Sequence, residues 1–432
     1  MTALGTLLIV SACSTPDEAT SDLHLVVVQA PDAGAAGATT APVIVRVVDG
    51  SDRPQSGVPV TWSVMGGEGT ITPAADTSGL DGLAAAQWRL GFAGGENTLA
   101  VSIYDEPALT ISMNGQVFHA EQVTVTYGRA CGVSNGELWC WSTSYGDRRP
   151  IPRLGPFKVV QAALTGSLDV CALDREGIVR CQSSFSGQPG DFYLINSLPP
   201  LASISASDRY ACGVSATDAT PWCWELSAYW PAPPPTAHQV SSSLRLASVS
   251  AGGGSAFACG VAEDSTAWCW GSGFQGTLGN GTFESSTEPV PVSGGLRFRQ
   301  TVAGDGFACG VTLPNAFYCW GQAQYGLGNS QSNVPEPVEG LAAASASANS
   351  DGVIVLSSGG NADVWGAAYN SRRRSLRSLP EFSGIPIIAA SAGNFPCVIA
   401  SDRSVYCLYS DAEDAAFYWK PVPLPSADEV TP

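Results

Sequence analysis

Six pairs of cysteines at nearly constant spacing constrain this chain more than any other feature of it. The first pair lies in Tyr127 to Trp141, YGRACGVSNGELWCW, where two extended runs flank Asn135-Gly136. An Asn-Gly pair between such runs marks a hairpin, because a type I′ turn needs positive φ at both central residues. Folding the chain there sets Ser134 against Glu137, Val133 against Leu138, Gly132 against Trp139 and Cys131 against Cys140. Directly opposed residues of an antiparallel ladder have Cα atoms about 4.5–5.5 Å apart, within disulfide reach.

The segment recurs at Cys171 with Cys181, Cys212 with Cys223, Cys259 with Cys269, Cys309 with Cys319, and Cys397 with Cys407. A further copy, DGVIVLSSGGNADVWG, places Ile354 and Val364 where the cysteines stand elsewhere, so both are absent together. Twelve of the 13 cysteines therefore pair locally, and Cys13 is left over. The three histidines lie near no cysteine pair, so disulfides in an oxidising compartment explain the count better than metal ligation. Where the spacing is ten, a three-residue loop such as Arg175-Glu176-Gly177 keeps the cysteines in register, with Gly in the left-handed position. Each bridge closes a loop of about ten residues, on the order of 2–3 kcal/mol in the chain-entropy model. It stiffens its own hairpin and leaves the joining of repeats to packing.

Glycine faces an aromatic residue in four copies: Gly132 with Trp139, Gly213 with Trp222, Gly260 with Trp268 and Gly310 with Tyr318. The expectation is that each ring covers bare strand backbone. Trp141, Trp224, Trp270 and Trp320 follow the second cysteine on one face. Such a stripe suits a carbohydrate platform, but repetition at equivalent positions is what packing between repeats produces.

Each repeat adds an alternating run before the hairpin, such as LRLASVSAGG, and a Pro-flanked run after it, such as EPVPV at Glu288 to Val292. Four short strands repeated seven times with a period near 45 residues make a seven-bladed β-propeller. Ala303-Gly304, Phe307 to Val311, Tyr318 to Gly321 and Leu327-Gly328-Asn329, together with Leu278 to Thr282, resemble the regulator-of-chromosome-condensation repeat. The resemblance spans about residues 120 to 425 and implies the same fold. That family's nucleotide-exchange activity is not carried over, because its loop residues have no counterpart that can be placed here.

Ahead of the repeats, LHLVVVQA, APVIVRVVDG, GVPVTWSVMGGEGTI, GLAAAQWRLG and NTLAVSIY read as short strands separated by turns. Gly57 to Trp62, Gly66 to Ile71, Asp76 to Gly79 and Gly94 to Asn97 resemble bacterial Ig-like domains of the invasin and intimin type. That resemblance implies a β-sandwich serving as a spacer. At the start, the apolar run Leu4 to Val10 is too short to span a bilayer and leads into Val10-Ser11-Ala12-Cys13, which resembles a bacterial lipobox. The expected division is a signal and lipobox over 1–13, a tether over 14–22, an Ig-like sandwich over 23–118, the propeller over 119–425 and a tail over 426–432. The fold class is all-β throughout.

A net charge of −18 repels phosphate backbones, so nucleic acid is excluded as a partner. No metal-spaced histidine cluster, phosphate loop or nucleophile elbow stands out, and no catalytic residue, metal or cofactor is expected. Two features suit ligand binding. Arg148-Arg149 and Arg372-Arg373 fall at the same offset after Trp141 and Trp365, with Tyr145 and Tyr369 also in equivalent places. They form either an ordinary solvated cluster or a grip for an anionic protein loop or envelope glycan. Tyr229-Trp230 and Trp419 lie in aromatic runs read as inter-strand loops, which serve either packing or an interface. The expected protein is a monomeric, lipid-anchored envelope protein whose propeller binds another macromolecule. The alternatives are a secreted enzyme inhibitor and an enzyme acting on envelope polysaccharide.

Overall fold

The computed structural model describes residues 23–30, 33–35, 39–66, 69–90, 95–104, 106–126, 128–143, 151–152, 158–164, 170–182, 192–207, 210–226, 235–253, 256–322, 331–349, 352–366, 374–375, 382, 385–393, 395–410 and 417–422. The chain divides into two compact units, Met1–Gln116 and Val117–Pro432.

In the first unit, one sheet orders His24–Gln29, Val43–Val48, Leu83–Arg89 and Thr70–Thr72. The other orders Ala33–Ala35, Glu106–Gln116, Gly95–Ile103, Pro59–Gly66 and Ala75–Thr77. Period-two alternation decides which side chains face inward. Val43, Val45 and Val47, with Ala84, Ala86 and Trp88, share one apolar cluster with Val60, Trp62, Leu99 and Val101 of the second sheet.

The second unit contains, among its described residues, seven four-stranded antiparallel sheets in which each strand lies beside its sequence neighbour. Their leading strands are Gln122–Thr126, Val159–Leu164, Leu201–Ser207, Leu246–Gly252, Phe298–Ala303, Ser345–Asn349 and Ile387–Ser391. The second and third strands of each sheet form the cysteine hairpin. Every expected pairing in the first hairpin is present, from Ser134 with Glu137 to Cys131 with Cys140. All six disulfides form, with Cα atoms 4.0 to 4.1 Å apart. Ile354 faces Val364 in the register the cysteines occupy elsewhere.

The hairpin turns join each sheet to the next. The last turn residue has positive φ in every sheet: Gly136, Gly177, Ala219, Ser265, Asn315, Gly360 and Arg403. That conformation aims its carbonyl at the start of the following leading strand. Backbone N–H groups of Val159, Leu201, Leu246, Phe298, Ala343 and Ile387 donate to the first six of these carbonyls at 2.7 to 2.9 Å. The seventh, Arg403, accepts from Ala120 at 3.1 Å, so the last sheet is tied to the first. Phe118, which the sequence reading placed in the N-terminal unit, also exchanges hydrogen bonds with the last sheet. Its N–H donates to Val422, and its carbonyl accepts from Val405.

Apolar contact reinforces the same joints. Cys171 and Cys181 share a cluster with Trp224 of the third sheet, and Cys212 and Cys223 share one with Trp270 of the fourth. Cys259 and Cys269 meet Trp320 of the fifth, and Cys397 and Cys407 of the seventh meet Trp141 of the first. The bridges therefore do more than stiffen their own hairpins, because each sulfur pair forms part of the surface on which the next sheet packs. The cysteine-free sixth sheet fits this rule: its Ile354 and Val364 meet Leu408, which stands where a tryptophan follows the second cysteine elsewhere. The tryptophans accordingly occupy core positions.

The facing aromatics do not explain the hairpin glycines. Leading strands bulge near their start, between Leu201 and Ser203, Leu246 and Ser248, and Phe298 and Gln300. This turns Leu201, Leu246 and Phe298 over Gly213, Gly260 and Gly310, where an added Cβ would lie 2.2, 2.7 and 2.5 Å from them. The glycines make room for a large apolar side chain of their own sheet.

Ala219 and Gly177 hold equivalent turn positions with opposite intrinsic fitness. Left-handed backbone costs an L-residue about 1–2 kcal/mol and glycine little. Ala219→Gly should therefore raise stability by about 0.5–1 kcal/mol in thermal unfolding, after allowing for glycine's unfolded-chain entropy. Gly177→Ala should lower the melting temperature, since its Cβ would meet the Leu201 backbone at 2.9 Å.

Candidate functional site

Most of the residues expected to bind a ligand, Tyr145, Arg148, Arg149, Tyr229, Trp230, Tyr369, Arg372 and Arg373, lie outside the described residues, as does Cys13. Trp419 is described, and its placement corrects the loop reading. It belongs to the strand Phe417–Pro421, is 4% exposed, and meets Phe382 edge to face with ring centroids 5.3 Å apart. Its ring fills the space beside the cysteine-free sheet and is closed to a ligand.

The seven leading strands surround a cavity of about 370 Å³ lined largely by Ser, Thr, Gln and Ala. Much of this polar surface is engaged in joining the sheets. The side-chain amides of Gln122, Gln161 and Gln300 each bond both backbone groups of one residue on the next strand, Ala162, Ile204 and Ala346, at 2.8 to 3.0 Å. Where glutamine is missing, a serine hydroxyl accepts one backbone N–H: Ser205 from Ala251, Ser250 from Ala303, Ser347 from Ala392 and Ser391 from Val125, at 3.0 to 3.1 Å. Every joint thus has at least one such bond. Among the described residues the lining carries one carboxylate, Glu121, whose Oε2 accepts the N–H of Asn135 and whose Oε1 lies 3.5 Å from Arg403. The described part of this surface suits water and neutral hydrogen-bonding groups.

A second arrangement, missed in the sequence reading, lies at the hairpin turns. In Asp218-Ala219-Thr220-Pro221-Trp222 the indole N–H donates to the Thr220 hydroxyl at 3.1 Å, and that hydroxyl donates to Asp218 at 2.8 Å. Asp264, Thr266 and Trp268 repeat the chain at 2.6 and 2.9 Å. Asp402 and Ser404 repeat its hydroxyl-to-carboxylate step at 2.8 Å, ahead of Tyr406. The signal was the recurring acidic-x-hydroxyl-x-aromatic spacing across the third strands. The first two chains fix the half-buried indoles of Trp222 and Trp268 at one end of their sheets. The Thr266 hydroxyl, followed by its backbone N–H, holds the Asp264 carboxyl below the ordinary value of 3.8, with Arg297 adding a smaller pull.

A carboxyl depressed in the folded state contributes stability above its unfolded pKa and loses that contribution as pH falls through the folded value. Thr266→Val removes the principal hydrogen bond. In an NMR titration the Asp264 midpoint should rise toward 3.8, while that of Asp218 stays where it was.

Among the described residues, no group of three His, Cys, Asp or Glu side chains is placed to hold a metal ion. Among the same residues no helix is long and apolar enough to cross a membrane.

Residues 264–311 match the Regulator of chromosome condensation (RCC1) repeat. No curated protein matches the chain. Among solved structures, Prp20p from Saccharomyces cerevisiae superposes with a TM-score of 0.52 at 12% identity, over 71% of this chain and 83% of that one. Human WBSCR16 gives 0.50 at 14% identity, over 60% of this chain and 78% of that one. The chain therefore contains an RCC1-like β-propeller fold, with disulfides within its sheets.

Proposed function

We propose that this chain is a cell-envelope lipoprotein, anchored through Cys13, in which an Ig-like sandwich spaces a seven-bladed, disulfide-bearing propeller that binds another macromolecule. The observation that carries the reading is the closed set of joints between the seven sheets. Turn carbonyls, leading-strand side chains and disulfide–tryptophan contacts are all engaged in holding the sheets together, which leaves recognition to exposed loops. Six disulfides suit an exported protein. The yeast structure is described with binding properties to Gsp1p and histones, so a related fold serves there as a binding platform.

The reading is tested in a bacterial host by metabolic labelling with a palmitate analogue and by crosslinking in whole cells. The full chain should take up the label, sediment with membranes and crosslink to an envelope component. Cys13→Ser should lose the label and the sedimentation while keeping the crosslink in mixed extracts. Label uptake by Cys13→Ser, or no crosslinked product with either form, contradicts it.

A further inference from the structure

In the fourth sheet, the chain between the third strand, Ala267–Gly271, and the fourth, Ser286–Pro291, forms a loop that is rooted in the core. Leu278 is fully buried beside Cys259, Cys269 and Trp320. The Trp320 indole N–H donates to the Thr277 carbonyl at 2.9 Å, and the Gly281 N–H donates to Asn333 of the fifth sheet at 2.8 Å. The two limbs of the loop are pinched together. The Gly273 N–H donates to the Ser285 hydroxyl at 3.0 Å, and a Cβ on Gly273 would fall 1.9 Å from the Glu284 carbonyl. Phe274 and Phe283 flank this pinch, and they are 66% and 52% exposed. Nothing in their own sheet accounts for two solvent-facing phenylalanines on so firmly held a loop. Large aromatics at positions fixed in advance are the usual anchors of an interface, since little ordering entropy opposes their burial.

The surrounding charge defines the chemistry of the occupant. Residues 271–296 and 322–344, which carry this loop and the outer strands of the fourth and fifth sheets, contain Glu284, Glu288, Glu336 and Glu339 and no Lys, Arg, His or Asp. All four glutamates are exposed. A second copy of this chain, at a net charge of −18, would bring like charges together, and nucleic acid or an anionic lipid surface would be repelled.

We propose that Phe274 and Phe283 form the anchor of a docking surface for a protein segment bearing an apolar side chain flanked by Lys or Arg. The proposal rests on the reading of the propeller as a binding module and names the surface and the class of its partner. The glutamates steer the basic flanks, and the two rings bury the apolar residue between them.

The probe is a phage-displayed library of random dodecapeptides selected on the immobilised full chain, with enriched peptides then measured by fluorescence anisotropy. Enriched sequences should combine Lys or Arg with an aromatic or branched apolar residue. Their affinity should fall at least tenfold on Phe274→Ser/Phe283→Ser and weaken with added salt. Glu284→Lys/Glu336→Lys should weaken the same peptides while leaving both rings in place, which keeps the test decisive if the phenylalanine variant misfolds. Melting temperature and disulfide content, both expected to be unchanged, report folding. Peptides that bind both variants as tightly as the parent overturn this surface but leave the binding-module reading standing. Failure of any peptide to enrich counts against both.

Discussion

The second unit depends on one hydrogen bond repeated around it. A turn residue with positive φ gives its carbonyl to a backbone N–H at or just before the start of the next leading strand, from Gly136 and Val159 round to Arg403 and Ala120. Each bond is worth about 1 kcal/mol net, so its importance lies in placement rather than strength. It fixes where a sheet begins relative to the preceding turn. The bulge, the glycine beneath it and the tryptophan two strands later then fall into register. Three of the seven turn residues are glycine and four pay the conformational cost of a side chain.

Once the sheets are set, sulfur and indole complete the joint. Four disulfides lie against a tryptophan of the following sheet, and the sheet that has lost both cysteines meets a leucine there. The matched presence of Ile354, Val364 and Leu408 at one joint fits a disulfide that acts as a shaped apolar surface as well as a crosslink. Trp419 and Phe382 fill the remaining volume beside Ile354 and Val364, which is why Trp419 is unavailable to a ligand.

Hairpin register was legible in the sequence because Asn135-Gly136 has a strong local turn preference and the cysteines recur at fixed spacing. The joints between sheets were not legible. They run through backbone carbonyls at residues such as Ala219 and Arg403, whose side chains carry no left-handed preference. The hairpin glycines were noticed, but their cause was misread: the bulge that swings Leu201 over Gly213 leaves no local sequence signal. The acidic-x-hydroxyl-x-aromatic spacing was present in the chain and went unread among stronger repeats. Most of the expected ligand residues lie outside the described residues, whereas the exposure of Phe274 and Phe283 leaves no signal in the sequence.

The polar groups that line the described part of the cavity are largely engaged in the joints, and the distinctive exposed chemistry lies at loops. The central claim, that one closed circuit of turn carbonyls holds the seven sheets together, is tested most directly by native-state hydrogen exchange in mild denaturant. The amides of Ala120, Val159, Leu201, Leu246, Phe298, Ala343 and Ile387 should exchange together, in the slowest class, through one cooperative opening. Exchange of Ala120 well ahead of the other six would show that the last sheet is not bound into the circuit and would contradict the account.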